Sequence, residues 1–159
     1  MKKIAIVMGS KSDYPIVDPA IKKLEGYGQI PVVRVLSAHR TPEEVAEFAK
    51  GAREFDIGVI IAAAGKAAAL PGCIAALTTI PVIGLPIKSS FMDGLDSLLS
   101  MVMMPSGMPV ATVGTNAAEN AAILALQMLS IEDREAQSIL ENERIKMKKT
   151  VLEADESMR

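Results

Sequence analysis

The chain has 159 residues, of which 50% are hydrophobic and 23% are charged, a composition typical of one compact domain rather than a disordered chain. The 17 Lys and Arg residues against 19 Asp and Glu residues give a formal charge of -2, so no polybasic surface is predicted and nucleic acid is not an expected partner. The single cysteine, Cys73, excludes an intramolecular disulfide framework and a cysteine-cluster metal site, and it favours the cytoplasm.

Five units of a strand followed by a helix are predicted in chain order. The first strand is the apolar run Lys3–Met8, which is too short for the core of a signal peptide. The longest apolar stretch, residues 57–65, is likewise far too short to span a bilayer, so no membrane partner is expected. The predicted strands cover 3–8, 30–36, 57–63, 81–85 and 110–113, and the helices that follow them cover 14–28, 42–52, 70–77, 93–103 and 117–129.

This alternation predicts a three-layer α/β sandwich, in which a five-stranded parallel sheet carries helices on both faces. The flavodoxin-like strand order 2-1-3-4-5 is the expected topology. Ligands of such sheets bind outside the carboxyl ends of the strands, at the point where the strand order reverses. The loops after strands one, two and three are therefore the candidate site.

The last segment is charged and has a helical pattern, with apolar residues at Ile139, Leu140, Ile145 and Val151. A helix here is longer than the sheet needs. We therefore divide the chain into a catalytic domain, residues 1–130, and a C-terminal helical extension, residues 131–159. The extension is expected to pack on a neighbouring subunit, and a solvated amphipathic tail is the alternative.

The first candidate loop, residues 9–13, leads from a buried strand into a helix. Its backbone N–H groups and the hydroxyls of Ser10 and Ser12 then face the positive end of that helix, which favours an anion. Alternatively, Ser12 or Asp13 only caps the helix.

The second loop, residues 37–42, holds the only histidine of the chain, His39, beside Arg40. A lone histidine is often structural, but this one is predicted at the edge of the sheet where parallel folds build their sites. Arg40 offers a planar fork for phosphate or carboxylate, or it forms a surface ion pair. Thr41 is expected to cap the next helix and Pro42 to begin it.

The third loop, residues 62–72, is almost devoid of large side chains, so that its backbone can approach a flat ligand closely. Its alanines equally suit tight packing of a helix on the sheet. Lys66 is the one charge in this apolar stretch, and it either neutralises a carboxylate or extends into solvent.

The ordered series of motifs resembles one known family, the carboxyaminoimidazole ribonucleotide mutases of purine biosynthesis. The resemblance covers about residues 4–129 and rests on MGSKSD, SAHRTP, AAAGKAAALPG, PVIGLP, GLDSLLS, MPSGMPVATV and NAAILAL. It implies a homo-octamer of flavodoxin-like subunits in which no metal or organic cofactor is used. It also implies a reaction in which a carboxylate moves from the exocyclic nitrogen of the aminoimidazole ribonucleotide to ring carbon 4.

Site residues are carried over from this resemblance motif by motif. His39 would transfer the proton, and Arg40 would bind the phosphate. The other substrate-binding residues implied by the three loops are Ser10, Ser12, Asp13, Ser37, Ala38, Gly65, Lys66 and Leu70.

The third loop departs from the family pattern at two positions. Typical mutases read G-A-G-G-A-A-H-L-P-G there, whereas this chain has Lys66 in place of a glycine and Ala69 in place of the histidine. The related carboxylases, which use free CO2, resemble this chain at Lys66 and in lacking that histidine. A carboxylase, or a ribonucleotide-binding relative without turnover, therefore remains an alternative. A phosphoacceptor receiver is excluded because the third strand ends without an aspartate, and a flavin carrier is disfavoured by the scarcity of aromatic residues.

Overall fold

The computed structural model describes residues 1–159 and contains one five-stranded sheet of order β2-β1-β3-β4-β5. All neighbouring strands are parallel, which confirms the predicted topology. The strands are β1 Lys3–Met8, β2 Val32–Val35, β3 Ile57–Gly65, β4 Val82–Ile87 and β5 Ala111–Thr112. β3 and β4 each extend two residues beyond their predicted carboxyl ends.

Six helices accompany the sheet, and the five within the βα units lie close to their predicted positions. They are α1 Tyr14–Gly26, α2 Pro42–Gly51, α3 Leu70–Ala75, α4 Leu95–Val102, α5 Ala118–Leu129 and α6 Arg134–Ser157. Two short 3-10 turns, Lys11–Asp13 and Met92–Gly94, precede α1 and α4 and were not predicted. No helix is both long enough and apolar enough to cross a membrane.

Alternate residues of the strands contribute to two separate hydrophobic cores, one on each face of the sheet. Ile4 and Ile6 of β1 pack with α1 and α5, whereas Ala5 and Val7 pack with α2 and α3. This is the arrangement that a parallel sheet covered on both faces requires. The sheet is therefore held rigidly, and the loops at its carboxyl edge extend from fixed strand ends.

The C-terminal helix α6 is attached to the rest of the chain mainly at its beginning. Asp133 caps it by accepting hydrogen bonds from the backbone N–H groups of Glu135 and Ala136. Ala136 is its only fully buried residue. Further along, Lys23 of α1 forms an ion pair with Glu143. Beyond that pair the helix is exposed on all sides.

Candidate active site

A cleft of about 570 Å³ lies at the carboxyl edge of the sheet, where the loops after β1, β2 and β3 meet. It is lined by nine of the ten residues that the sequence predicted for the site. These are Ser10, Asp13, Ser37, Ala38, His39, Arg40, Gly65, Lys66 and Leu70. The tenth, Ser12, is exposed and lies just outside the lining.

The loop after β1 is organised by a capping box around the 3-10 turn. The Ser10 hydroxyl accepts a hydrogen bond from the Ser12 backbone N–H at 3.3 Å, while the Asp13 carboxylate accepts one from the Ser10 backbone N–H at 3.1 Å. Ser12 also donates its own hydroxyl to that of Ser10 at 2.8 Å. The alternative that Ser12 or Asp13 caps α1 is therefore wrong: Asp13 precedes α1 but its side chain does not cap it, and Ser10 caps the 3-10 turn instead.

Arg40 joins the second loop to the first. Its Nη2 donates to the backbone carbonyl of Gly9 at 2.7 Å, and its Nε donates to the Ser37 hydroxyl at 3.3 Å. The guanidinium thus lies beside the Ser10 turn and is not paired with any carboxylate. A guanidinium has five N–H donors in total, so several remain free to bind a ligand.

The expected helix cap at Thr41 is wrong. Thr41 stands at the N-cap position, immediately before α2, but its side chain makes no capping hydrogen bond. Instead its hydroxyl accepts from the Ser37 backbone N–H at 2.8 Å and donates to the Ser37 carbonyl at 3.2 Å. Thr41 therefore closes the loop that presents His39, and Pro42 begins α2 as predicted.

The loop after β3 places a charged side chain in an uncommon backbone conformation. Lys66 has a φ of 58°, in the left-handed region that favours glycine. The turn is closed by hydrogen bonds from the Ala68 N–H to the Lys66 carbonyl and from the Ala69 N–H to the Ala67 carbonyl. The Lys66 side chain is exposed and lines the cleft.

Asp13 is the one carboxylate among the residues lining the cleft. Its partial burial raises the pKa of this carboxyl above the usual value, and the hydrogen bond from the Ser10 backbone and the nearby Arg40 charge oppose that rise. The protonated form of Asp13 is therefore easier to populate than that of an exposed aspartate.

Nowhere in the chain do three His, Cys, Asp or Glu side chains lie close enough to hold a metal ion.

Three lining residues, Ile87, Lys88 and Ser89, belong to the end of β4 and the segment after it, which the sequence analysis did not select. Their signal was weak because β4 was predicted to end at residue 85 and an Ile-Lys-Ser segment carries no recognisable motif.

A larger cleft of about 800 Å³ lies elsewhere, along Lys50, Arg53 and the start of β4. It contains neither a histidine nor a carboxylate and lies away from the carboxyl edge of the sheet.

The AIR carboxylase family model matches residues 3–150. The chain belongs to this family. Among its relatives is the N5-carboxyaminoimidazole ribonucleotide mutase of Pyrococcus abyssi, which is 55% identical over 94% of this chain and 86% of its own length. Another is the chloroplastic phosphoribosylaminoimidazole carboxylase of Vigna aconitifolia, which is 51% identical over 80% of this chain and 23% of its own length.

The fold of the family is also found among solved structures. The crystal structure of Treponema denticola PurE matches with a TM-score of 0.90 at 29% identity, over 98% of both chains. The family resemblance read from the motifs is thus confirmed by sequence and by structure.

Proposed function

We propose that this chain is the carboxyl mutase of purine biosynthesis. It would move the carboxylate of 5-(carboxyamino)imidazole ribonucleotide from the exocyclic nitrogen to ring carbon 4, giving 4-carboxy-5-aminoimidazole ribonucleotide. One observation carries the proposal. The only histidine lines the same cleft as Arg40 and the Ser10 turn, in a chain 55% identical to a relative named for this reaction.

The ribose phosphate is assigned to the first loop and to Arg40. Arg40 lies against Gly9, so its free N–H groups and the backbone N–H groups of the turn can bind one phosphate together. Ser10 and Asp13 line the cleft beside it. Ser12, outside the lining, holds the Ser10 hydroxyl through its own, which supports a role in positioning that hydroxyl.

His39 is assigned the proton transfer that the reaction requires. When the bond between the exocyclic nitrogen and the carboxyl carbon breaks, CO2 leaves and the nitrogen takes up a proton. When ring carbon 4 attacks that CO2, a carbon–carbon bond forms and carbon 4 loses its proton. The net change is one proton moved from carbon to nitrogen, which one imidazole can accept and return. The substrate and product are isomers, so the reaction consumes no oxidant or reductant.

The base is assigned to the small residues of the second and third loops. Ser37 and Ala38 lie on one side of the cleft, and Gly65, Ala69 and Leu70 belong to the loop after β3. Residues without bulky side chains let the backbone approach a planar imidazole closely. The apolar side chains of Ala38, Ala69 and Leu70 also disfavour water, which would otherwise compete for the released CO2.

A carboxylase that adds free CO2 to the aminoimidazole ribonucleotide is the second candidate. The observation that favours it is the pair of changes in the third loop, Lys66 and Ala69, both of which line the cleft. The test is to incubate the protein separately with the carboxyamino isomer and with aminoimidazole ribonucleotide plus bicarbonate, and to follow the 4-carboxy product. Product from the first mixture alone supports the mutase, product from the second alone supports the carboxylase, and none from either refutes catalysis.

Assembly into a homo-octamer in the cytoplasm is also proposed, with residues 1–130 as the catalytic domain and 131–159 as a helical extension that packs between subunits. Large apolar side chains remain exposed on this extension and on the edge strand β2, in particular Ile145 at 65%, Val151 at 68% and Val35 at 51%. Such exposure supports a covering partner. Light scattering should give eight times the subunit mass of 16.9 kDa, and a monomer mass would refute the assembly.

A further inference from the structure

Four cationic or potentially cationic side chains line the cleft: His39, Arg40, Lys66 and Lys88. Two of the permanent charges are already engaged within the protein. Arg40 donates to Gly9 and Ser37, and the Lys88 ammonium pairs with Asp93 at 3.0 Å. Lys66 has neither an ion pair nor a side-chain hydrogen bond. Its ammonium is therefore the one permanent charge of the cleft without a partner in the protein.

The positions of Arg40 and Lys66 are set by the sheet. Arg40 follows β2 and Lys66 follows β3, and β1 lies between these two strands. Since neighbouring strands are about 4.8 Å apart, the two loops begin about 10 Å from one another. This separation is comparable to the span between the 5′-phosphate and the base of a ribonucleotide. A ligand whose phosphate binds at Arg40 thus brings its base toward Lys66.

The backbone conformation at Lys66 indicates that the turn itself does not require a lysine at this position. A φ of 58° is unfavourable for a residue with a β-carbon and is readily adopted by glycine. The loop keeps a long charged side chain at a position where glycine would relieve the strain. Residues held in such conformations cluster at ligand-binding sites.

We propose that Lys66 binds the migrating carboxylate and thereby selects carboxylated over uncarboxylated aminoimidazole ribonucleotide. This proposal rests on the proposed function, because it takes the phosphate position from it. Arg40 and the Ser10 turn bind the phosphate at one end of the cleft, and Lys66 binds the second anionic group at the other. The small side chain of Ala69 leaves space for this contact in the same loop.

The test compares the binding of two nucleotides by calorimetry, the 4-carboxy-5-aminoimidazole ribonucleotide and the 5-aminoimidazole ribonucleotide that lacks the carboxylate. Interconversion of the two carboxylated isomers leaves the carboxylate on the ligand, and bicarbonate in the buffer opposes its loss as CO2 during the titration. Lys66→Met removes the charge but keeps a β-carbon at the strained position. We expect it to weaken binding of the carboxylated nucleotide about tenfold, and that of the uncarboxylated one less than twofold.

Three further variants distinguish the effect of the Lys66 charge on binding from the effect of the backbone conformation. Lys66→Arg should restore the preference for the carboxylated nucleotide, and Lys66→Gly should lose it as Lys66→Met does. Lys50→Met is the matched control, because Lys50 is an exposed lysine that lines the other, larger cleft, and it should change neither affinity.

The outcomes distinguish this proposal from the one on which it rests. If the wild type binds both nucleotides and Lys66→Met changes the two affinities equally or not at all, the role of Lys66 is refuted while the proposed function stands. The same holds if Lys66→Gly alone changes the preference, since backbone conformation would then be the cause. If the wild type binds neither nucleotide, both proposals are wrong.

Discussion

Gly94 allows the backbone before α4 to pass close to the end of β4, and its replacement by alanine should both destabilise the protein and disturb the cleft. Its φ is 92°, and a β-carbon added there would lie 2.9 Å from the Lys88 Cα and 2.9 Å from the Thr115 Cγ2. The Lys88 backbone cannot move away easily, because its N–H donates to the side chain of Asn116 at 2.9 Å. The substitution therefore adds a dihedral penalty and a steric one.

Gly107→Ala is the matched control, because it carries the dihedral penalty without the steric one. Its φ is 91°, almost the same as that of Gly94, but an added β-carbon would meet no atom within 4 Å. Gly107→Ala should cost only the dihedral term, about 1 kcal/mol once the lower entropy of the unfolded chain is counted. Gly94→Ala should cost about 2 to 4 kcal/mol, because an overpacked contact adds roughly 1–3 kcal/mol.

Urea unfolding at one fixed protein concentration measures the difference. With a slope of about 2 kcal/mol per molar, the midpoint of Gly94→Ala should lie about 0.5–1.5 M below that of Gly107→Ala. Gly94→Ala should also weaken ribonucleotide binding, since Lys88 and Ser89 line the cleft. Equal midpoints for the two variants would refute the steric argument.

The remaining predictions concern the cleft itself. His39→Asn should abolish turnover while nucleotide affinity stays within a few-fold, because an amide does not exchange a proton near neutral pH; turnover near that of the wild type would remove His39 from the mechanism. Arg40→Lys should weaken ribonucleotide binding, measured by calorimetry, about tenfold, because an ammonium cannot reproduce the planar fork; unchanged affinity would place the phosphate elsewhere. Lys66→Gly with Ala69→His should shift activity from bicarbonate toward the carboxyamino isomer if the native chain uses bicarbonate, and an unchanged donor preference in the paired assays would refute that. The urea midpoint of Asp13→Asn should rise relative to that of the wild type as the pH is raised from acid toward neutral. Folded Asp13 keeps its proton at a pH where the unfolded chain has released it, so the Asp13 contribution to wild-type stability falls as pH rises through its raised pKa. The variant lacks that fall, which begins near the pKa of an unfolded aspartate, about 3.9, and parallel midpoint curves for the two proteins would contradict it.

The fold could be predicted because its signals are local. The β1 and β3 runs are uniformly apolar, as strands buried on both faces must be, and each is followed by a helix. The predicted β2 was too long. Ile30 is exposed, and Leu36 is buried but lies beyond the end of β2, so apolar residues at both ends extended the prediction without belonging to the strand.

The site could be predicted only in part, because its missing features depend on contacts between loops. The motifs placed His39 and Arg40 at the carboxyl edge, and the strand order brought them to the first loop. Nothing in the sequence, however, indicated that Arg40 would donate to the Gly9 carbonyl. The Thr41 hydroxyl bonds to the backbone of Ser37 instead of capping α2, because Ser37, four residues away, provides both a donor and an acceptor.

Backbone strain is concentrated at the edge of the sheet that holds the cleft. Five residues with side chains have a positive φ, and four of them follow the carboxyl end of a strand: Lys66, Met92, Asp93 and Asn116. The loops after β4 and β5 are tied to each other, since Asn116 accepts from the Lys88 N–H and Asp93 pairs with the Lys88 ammonium. Such conformations persist only where the surrounding structure holds them. The two buried cores supply that support, so the same packing that stabilises the sheet also holds the cleft loops in the geometry needed to bind a ligand.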